Sequence, residues 1–210
     1  MKTRRRKSFK RSAWGKFYQS QGWARARTSS NHCGPASIAM VLNLIQQKGN
    51  QKKDTLSMQR VKDGVRLHAW ERIPEWVPGI GGATAPWGMV RLFNSWAKQL
   101  KLGWSAERIS HAKPELIFEQ LEQGNQLSTL RLWENGGAHW SNLLHISTRS
   151  CMVYLLDPDP ALERTPNEKK VRAVPWEDFL ADWGRQPWWA RLLGLKNELI
   201  LYRQEKVHTP

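Results

Sequence analysis

The sequence contains no acidic residue before Asp54 and only two cysteines, Cys33 and Cys151, in 210 residues. Two cysteines cannot build a disulfide scaffold, and neither belongs to a CxxC pair or to another zinc-ligand spacing, so we expect no structural metal. Long apolar runs are also missing. The most apolar stretch, residues 36–45, is interrupted by polar residues and is shorter than the roughly 18 residues that a spanning helix needs. We therefore expect no membrane span.

The basic charge is concentrated at the N-terminus. Residues 1–53 contain 13 of the 33 Lys and Arg, so they carry +13 of the net charge of +15. We expect residues 1–22 to form a basic, flexible arm, and residues 23–205 to form one domain whose 40% apolar content can bury a core. Such an arm can attract an anionic partner, either nucleic acid or an acidic surface, with an affinity that salt weakens. The sequence does not indicate an oligomeric state.

The residues after the basic N-terminus do not form the apolar segment of a cleavable signal peptide. The expected localisation is the cytoplasm, or export by a route that does not use such a peptide.

Hydrophobic periodicity changes along the chain from helical to extended. Helical spacing or a leading proline predicts helices over residues 35–48, over 89–100, after Pro114 and from Pro175, whereas alternating or β-branched runs predict strands over 127–133, 140–148, 152–156 and 199–202. Helices in the first half and strands in the second indicate an α+β domain, in which a helical part packs against an antiparallel sheet.

Cys33 lies at the N-terminus of the first predicted helix. A cysteine is more often a small buried hydrophobe than a nucleophile. The positive end of the helix and the absence of nearby acidic residues, however, favour the thiolate, which is the nucleophilic form. Cys151 has no such surroundings, and we interpret it as structural.

A predicted hairpin supplies an imidazole and a carboxylate. If its turn is centred on Thr148, His139 lies opposite Asp157, close enough for the carboxylate to fix the imidazole tautomer. If the centre lies one residue later, His139 pairs with Asp159 instead. A lone histidine in a strand is usually structural, and the carboxylate partner makes His139 the candidate base. In the first of these registers, His145 lies opposite Cys151.

Three segments together resemble a known family. NHCGPASIAMVL, GGAHW and VYLLDP, in this order, are similar to motifs of papain-like cysteine peptidases of the bacteriocin-processing type and their stand-alone relatives. The similarity extends over about residues 27–203. It implies a papain-like fold without a cofactor, in which Cys33 is the nucleophile, His139 the base and Asp157 the orienting group.

One position departs from the family pattern. Members of the family usually have an oxyanion-binding glutamine six residues before the nucleophile, where this sequence has Arg27. Arg27, Asn31 or Gln21 are the candidates to replace it, and Gln19 lies further upstream. Losing one oxyanion donor typically lowers the rate about 100- to 1000-fold.

The sequence therefore predicts a thiol hydrolase that cleaves a peptide or isopeptide bond of a peptide or protein substrate through Cys, His and Asp. Two alternatives stay open. The first alternative is a weakly active or inactive papain-fold module that binds a peptide or nucleic acid. The second is an enzyme that transfers the acyl group to an amine or a thiol instead of water.

Overall fold

A computed structural model of the chain describes residues 9–22, 31–49, 55–77, 79–133 and 137–205. These residues form seven α-helices and one six-stranded sheet. Within the described ranges, no helix is both long and apolar enough to cross a membrane.

The helices and strands follow one another along the chain in a mixed order. The helices are α1 (Arg11–Gly15), α2 (Cys33–Lys48), α3 (Met58–Gly64), α4 (Pro86–Gln99), α5 (Pro114–Glu122), α6 (Trp176–Gly184) and α7 (Trp188–Leu192). The strands are β1 (Trp104–Ile109), β2 (Gln126–Leu132), β3 (Ala138–Ser147), β4 (Met152–Leu156), β5 (Val171–Pro175) and β6 (Leu199–Gln204).

The predicted α+β class is confirmed, and every predicted helix and strand is present. Helix α2 begins at Cys33 itself, two residues before the predicted start. The sequence analysis missed β1, β5 and the short helices α1, α3 and α7. Helix α3, for example, buries only Val61, so its sequence has no helical periodicity to detect.

The sheet is antiparallel throughout, with the strand order β1-β6-β2-β3-β4-β5. Both of its faces are covered. Alternate residues of β6 belong to different cores: Ile200 and Tyr202 pack with α2 and α4, whereas Leu199 and Leu201 pack with α5 and α6. Helix α2 is buried over nearly its whole length and is therefore the central helix of the domain.

Polar contacts fix the position of α2 along β3. The Ser37 hydroxyl donates to the carbonyl of Trp140 over 3.2 Å, and the Asn142 amide donates to the carbonyl of Ser37 over 3.0 Å. All three residues are buried, where a lost hydrogen bond is costly. Since Ser37 lies one turn after Cys33 and Trp140 follows His139, these bonds set the position of Cys33 relative to His139.

The described part of the predicted arm packs against the sheet. Phe9, Trp14, Phe17 and Tyr18 cover a small core near β4 and β5, and the guanidinium of Arg11 donates to the backbone carbonyl at the start of β5. Aromatic residues interleaved with the basic ones explain this packing, because they supply apolar area that a purely charged arm lacks. Residues 1–8, which include five basic side chains, lie outside the described residues.

We predict that Gly34→Ala destabilises the domain by about 1–3 kcal/mol, because overpacking a tight contact forces neighbouring atoms apart. A Cβ at Gly34 would lie 2.7 Å from the Cβ of Thr84, on the loop that leads into α4. Chemical denaturation measures the change. Gly184→Ala is the matched control, since its Cβ would meet only the Asn197 amide at 4.0 Å. Equal stability of the two variants would contradict this account of the contact.

Candidate functional site

Cys33 is the first residue of α2 and is 4% exposed. The residue before it, His32, makes no side-chain cap. The backbone N–H groups of the first helical turn have no partner within the helix, and the helix dipole places partial positive charge at this end. The thiol therefore lies where a negative charge is stabilised.

His139 and Asp157 are in direct contact. The imidazole Nε2 lies 2.6 Å from Oδ1 of Asp157, and the thiol of Cys33 is hydrogen-bonded to the same imidazole. Because Nε2 is occupied by the carboxylate, Nδ1 is the ring atom left for the thiol. The structure thus brings the three sequence-predicted residues into one chain of contacts.

The register centred on Thr148, which placed His139 opposite Asp157, is wrong, and Asn142 and Leu143 pair as in the alternative register centred one residue later. In the structure Asn142 pairs with Leu156, and a bulge then shifts the ladder so that His145 pairs with Tyr154 rather than with Cys151. The cross-strand partner of His139 is Arg131 of β2. Strand β4 ends one residue before Asp157, so the carboxylate reaches the imidazole from the loop after the strand.

Asp159, the alternative partner, has a different role. Its carboxylate accepts a hydrogen bond from the backbone N–H of Ala161 and pairs with the guanidinium of Arg172. Its own backbone N–H donates to Oδ1 of Asp157 over 3.0 Å. Asp159 therefore shapes the loop that presents Asp157 and does not contact the imidazole itself.

Two arginines balance the charge of Asp157, which is 1% exposed. Arg131 Nη2 donates to Oδ2 over 3.0 Å, and Arg172 Nη1 lies 3.8 Å from the same oxygen. The two carboxylate oxygens therefore have separate partners, with Oδ1 facing the imidazole and Oδ2 facing the guanidinium groups.

The electrostatics favour a charged imidazole and a charged carboxylate. Burial alone lowers the pKa of His139, but the charge and hydrogen bond of Asp157, together with the Cys33 contact, outweigh burial and raise this pKa to about 10. Burial acts to raise the pKa of Asp157, yet His139 and then the two arginines hold it well below its usual range. At neutral pH the pair is an imidazolium and a carboxylate.

The three residues line one cleft of about 460 Å³. One wall is the glycine-rich loop, through Gly79, Ile80 and Ala83, and another is the N-terminal segment, through Gln21. The cleft is partly open to solvent. A reacting group could therefore approach the Cys33 thiol.

The comparisons with known proteins bear on the fold of the chain. Neither a family model nor a curated protein sequence matches the chain. Among solved structures, it matches a crystal structure of a protein from Bacillus anthracis that is described as a proposed C39-like peptidase, with a TM-score of 0.54 over 90% of this chain and 94% of that one. The chain has a papain-like, C39-like peptidase fold. At 15% identity the match concerns the fold alone.

Within this C39-like fold, the three candidate oxyanion residues differ in position. Gln21 is 3% exposed, lines the cleft and donates its backbone N–H to the carbonyl of Pro158, next to Asp157. Asn31 also lines the cleft, but its amide donates to the carbonyl of Gly81 over 2.9 Å. Arg27 lies outside the described residues. Gln19 accepts a hydrogen bond from the backbone of Met58, away from the cleft lining.

The sequence analysis missed two residues of the site. Arg131 contacts Asp157, and Trp133 lies beside His139 with their ring centroids 6.1 Å apart. Arg131 is the one charged residue of β2, QLSTLRL, which is buried along its whole length, and a charged residue within a predicted strand is the signal that could have identified it.

Other candidate groups lie elsewhere. Cys151 is an exposed turn residue with φ of 50°, whereas Cys33 is buried. His145 stacks on Phe9 and Tyr154. Among the described residues there is no cluster of three or more His, Cys, Asp and Glu suited to a metal ion.

We predict that Asp157→Asn lowers the pKa of His139 from about 10, because burial is then opposed by the Cys33 contact alone, without the carboxylate charge. NMR titration of the imidazole measures it: the wild-type ring should stay protonated through pH 8, whereas the variant ring should be neutral there. Asp178→Asn, on the exposed first turn of α6, is the control and should leave the titration unchanged. An unaltered His139 titration in Asp157→Asn would refute this account of the charge balance.

Proposed function

We propose that the chain is a thiol hydrolase, most specifically a cysteine peptidase that uses Cys33, His139 and Asp157. The observation that supports this best is the continuous contact from the thiol through the imidazole to a buried carboxylate, at a helix N-terminus that lines an open cleft. The C39-like fold and the sequence resemblance to bacteriocin-processing peptidases support the same reaction class.

The reaction follows from this geometry. In the resting site His139 already holds the thiol proton as an imidazolium, and the Cys33 thiolate attacks the substrate carbonyl carbon, so that a carbon–sulfur bond forms and the carbonyl oxygen becomes an oxyanion. The oxyanion then collapses and expels the amine, which receives the proton from the His139 imidazolium. Water, deprotonated by His139, hydrolyses the thioester and regenerates the thiol. Asp157 stabilises the imidazolium throughout.

We assign the oxyanion to the backbone N–H of Cys33 and the side chain of Gln21. The first group lies at the open end of α2, where helical N–H groups have no internal partner. The second belongs to a buried residue on the cleft wall. In this assignment the glutamine of the family pattern is present twelve residues before the nucleophile instead of six.

The alternatives lead to different chemical outcomes. A binding module without catalysis keeps the cleft but gives no thioester, and an acyl transferase gives an amide or a new thioester when an amine or thiol is added. Incubation with a proteome-derived peptide library, followed by mass spectrometry with and without added amine, distinguishes the three. New free carboxylates support hydrolysis.

We predict that iodoacetamide modifies Cys33 at least about tenfold faster than Cys151 at pH 6, although Cys33 is the buried thiol, because an ordinary thiol is almost wholly protonated there. Peptide mass mapping reads both rates from one sample, so the exposed Cys151 serves as an internal control. His139→Ala should remove the advantage of Cys33. Slow labelling of Cys33 in the folded wild type would count against the enzyme and favour the binding module.

For Gln21→Ala we expect a loss of about 100- to 1000-fold in the rate of peptide cleavage, because one oxyanion donor is removed. The alkylation rate of Cys33 should stay unchanged, since alkylation forms no oxyanion. Gln19→Ala, two residues earlier on the same segment, is the matched control, and Asn31→Ala tests the other candidate. A full cleavage rate in Gln21→Ala would exclude this role.

A further inference from the structure

Arg131 is an unusual residue for the position it occupies. It lies in β2, where all seven residues are buried, and its side chain is 7% exposed. Its Nη2 donates to Oδ2 of Asp157 over 3.0 Å, while its Nε is buried without a hydrogen-bond partner among the described residues. A buried guanidinium with an unpaired donor costs stability. This cost indicates that the arginine is not there to optimise the stability of the core.

Asp157 needs a partner of this kind. Strand β4 ends at Leu156, so the sheet ladder does not hold the backbone of Asp157. Arg131, in contrast, is held by the ladder, and its cross-strand partner in β3 is His139. The same pair of strands therefore presents the imidazole to Oδ1 and the guanidinium to Oδ2.

We propose that Arg131 is a positioning residue of the thiol hydrolase, which holds Oδ2 of Asp157 so that Oδ1 faces Nε2 of His139. The role rests on the proposed function of the three residues that it supports. Arg131 also lines the cleft, but its one hydrogen bond among the described residues goes to the Asp157 carboxylate, and it is through this carboxylate that we expect it to act.

Arg172 is not equivalent to Arg131. Its side chain is 40% exposed, its Nη1 lies 3.8 Å from Oδ2, and its other guanidinium nitrogen pairs with Asp159. Solvent screens such an exposed charge, and the longer distance gives no directional bond. Arg172 adds positive charge near Oδ2, whereas Arg131 gives that oxygen a directional hydrogen bond, as the backbone N–H of Asp159 does for Oδ1.

A double-mutant cycle tests whether Arg131 acts through Asp157. The rate of Cys33 alkylation at pH 6 is measured for wild type, Arg131→Met, Asp157→Asn and the double variant. We expect Arg131→Met to slow alkylation about tenfold or more in the wild-type background, and less than about twofold once Asp157 is already replaced, since contacting residues are non-additive. An equal loss in both backgrounds would overturn the proposal.

Two further variants separate this role from a loss of folding. Arg131→Lys keeps the charge and should give a rate between those of wild type and Arg131→Met. It replaces Arg131→Met in the cycle if the latter does not fold. Arg108→Met removes the partner of another buried carboxylate, Glu198, at the far edge strand of the sheet. It controls for the general cost of breaking a buried ion pair and should leave the alkylation rate within about twofold of the wild type.

A second readout keeps the proposal testable if the protein proves not to be a hydrolase. The proton on Nε2 of His139 resonates far downfield in NMR spectra when it is bound to a carboxylate. This resonance should be present in the wild type and Arg108→Met, weaker in Arg131→Lys and lost in Arg131→Met. If it persists unchanged in folded Arg131→Met, Arg131 does not position Asp157, whatever the activity of the wild-type protein.

Discussion

One buried carboxylate organises this molecule. A negative charge with 1% exposure is stable only if hydrogen bonds and positive charges replace its lost hydration. Asp157 obtains them from three separate parts of the chain: the imidazole of β3, the guanidinium of β2 and the backbone and side chains of the segment that follows β4. Removing one member of such a buried group typically costs about 3–5 kcal/mol. The same group therefore contributes to the fold and prepares the site.

The position of the Cys33 thiol relative to His139 and Asp157 is set by a separate group of contacts. Cys33 is positioned by α2, and α2 is fixed to β3 by the hydrogen bonds of Ser37 with Trp140 and Asn142. The indole of Trp140 in turn donates to the carbonyl of Thr84, in the loop against which Gly34 packs. A rigid helix and a rigid sheet thus meet at neighbouring residues, which is the arrangement that a precise donor–acceptor distance requires.

The sequence predicted the α+β class, the central helix and the three residues of the site, because each left a local signal. Helical spacing identified α2, and the motif around Cys33, His139 and Asp157 supplied the roles. The sequence left two hairpin registers open: Asn142 and Leu143 follow the one centred one residue after Thr148, and a bulge between Leu143 and His145 shifts the remaining pairs by one residue. The sequence named Gln21 only as one of three oxyanion candidates and did not assign Arg131 to the site, because tertiary contacts place both residues beside Asp157.

The sheet topology also constrains how the protein can be made. Strand β6 is the last strand along the chain, yet it lies between β1 and β2 in the middle of the sheet. While the ribosome is still synthesising residues 199–204, β2 has an open edge and β1 has no partner in the sheet. A nascent chain therefore holds Cys33, His139 and Asp157 before it holds the sheet that supports them. The strand β6 must therefore be synthesised before the thiol is presented in a cleft supported by the complete sheet.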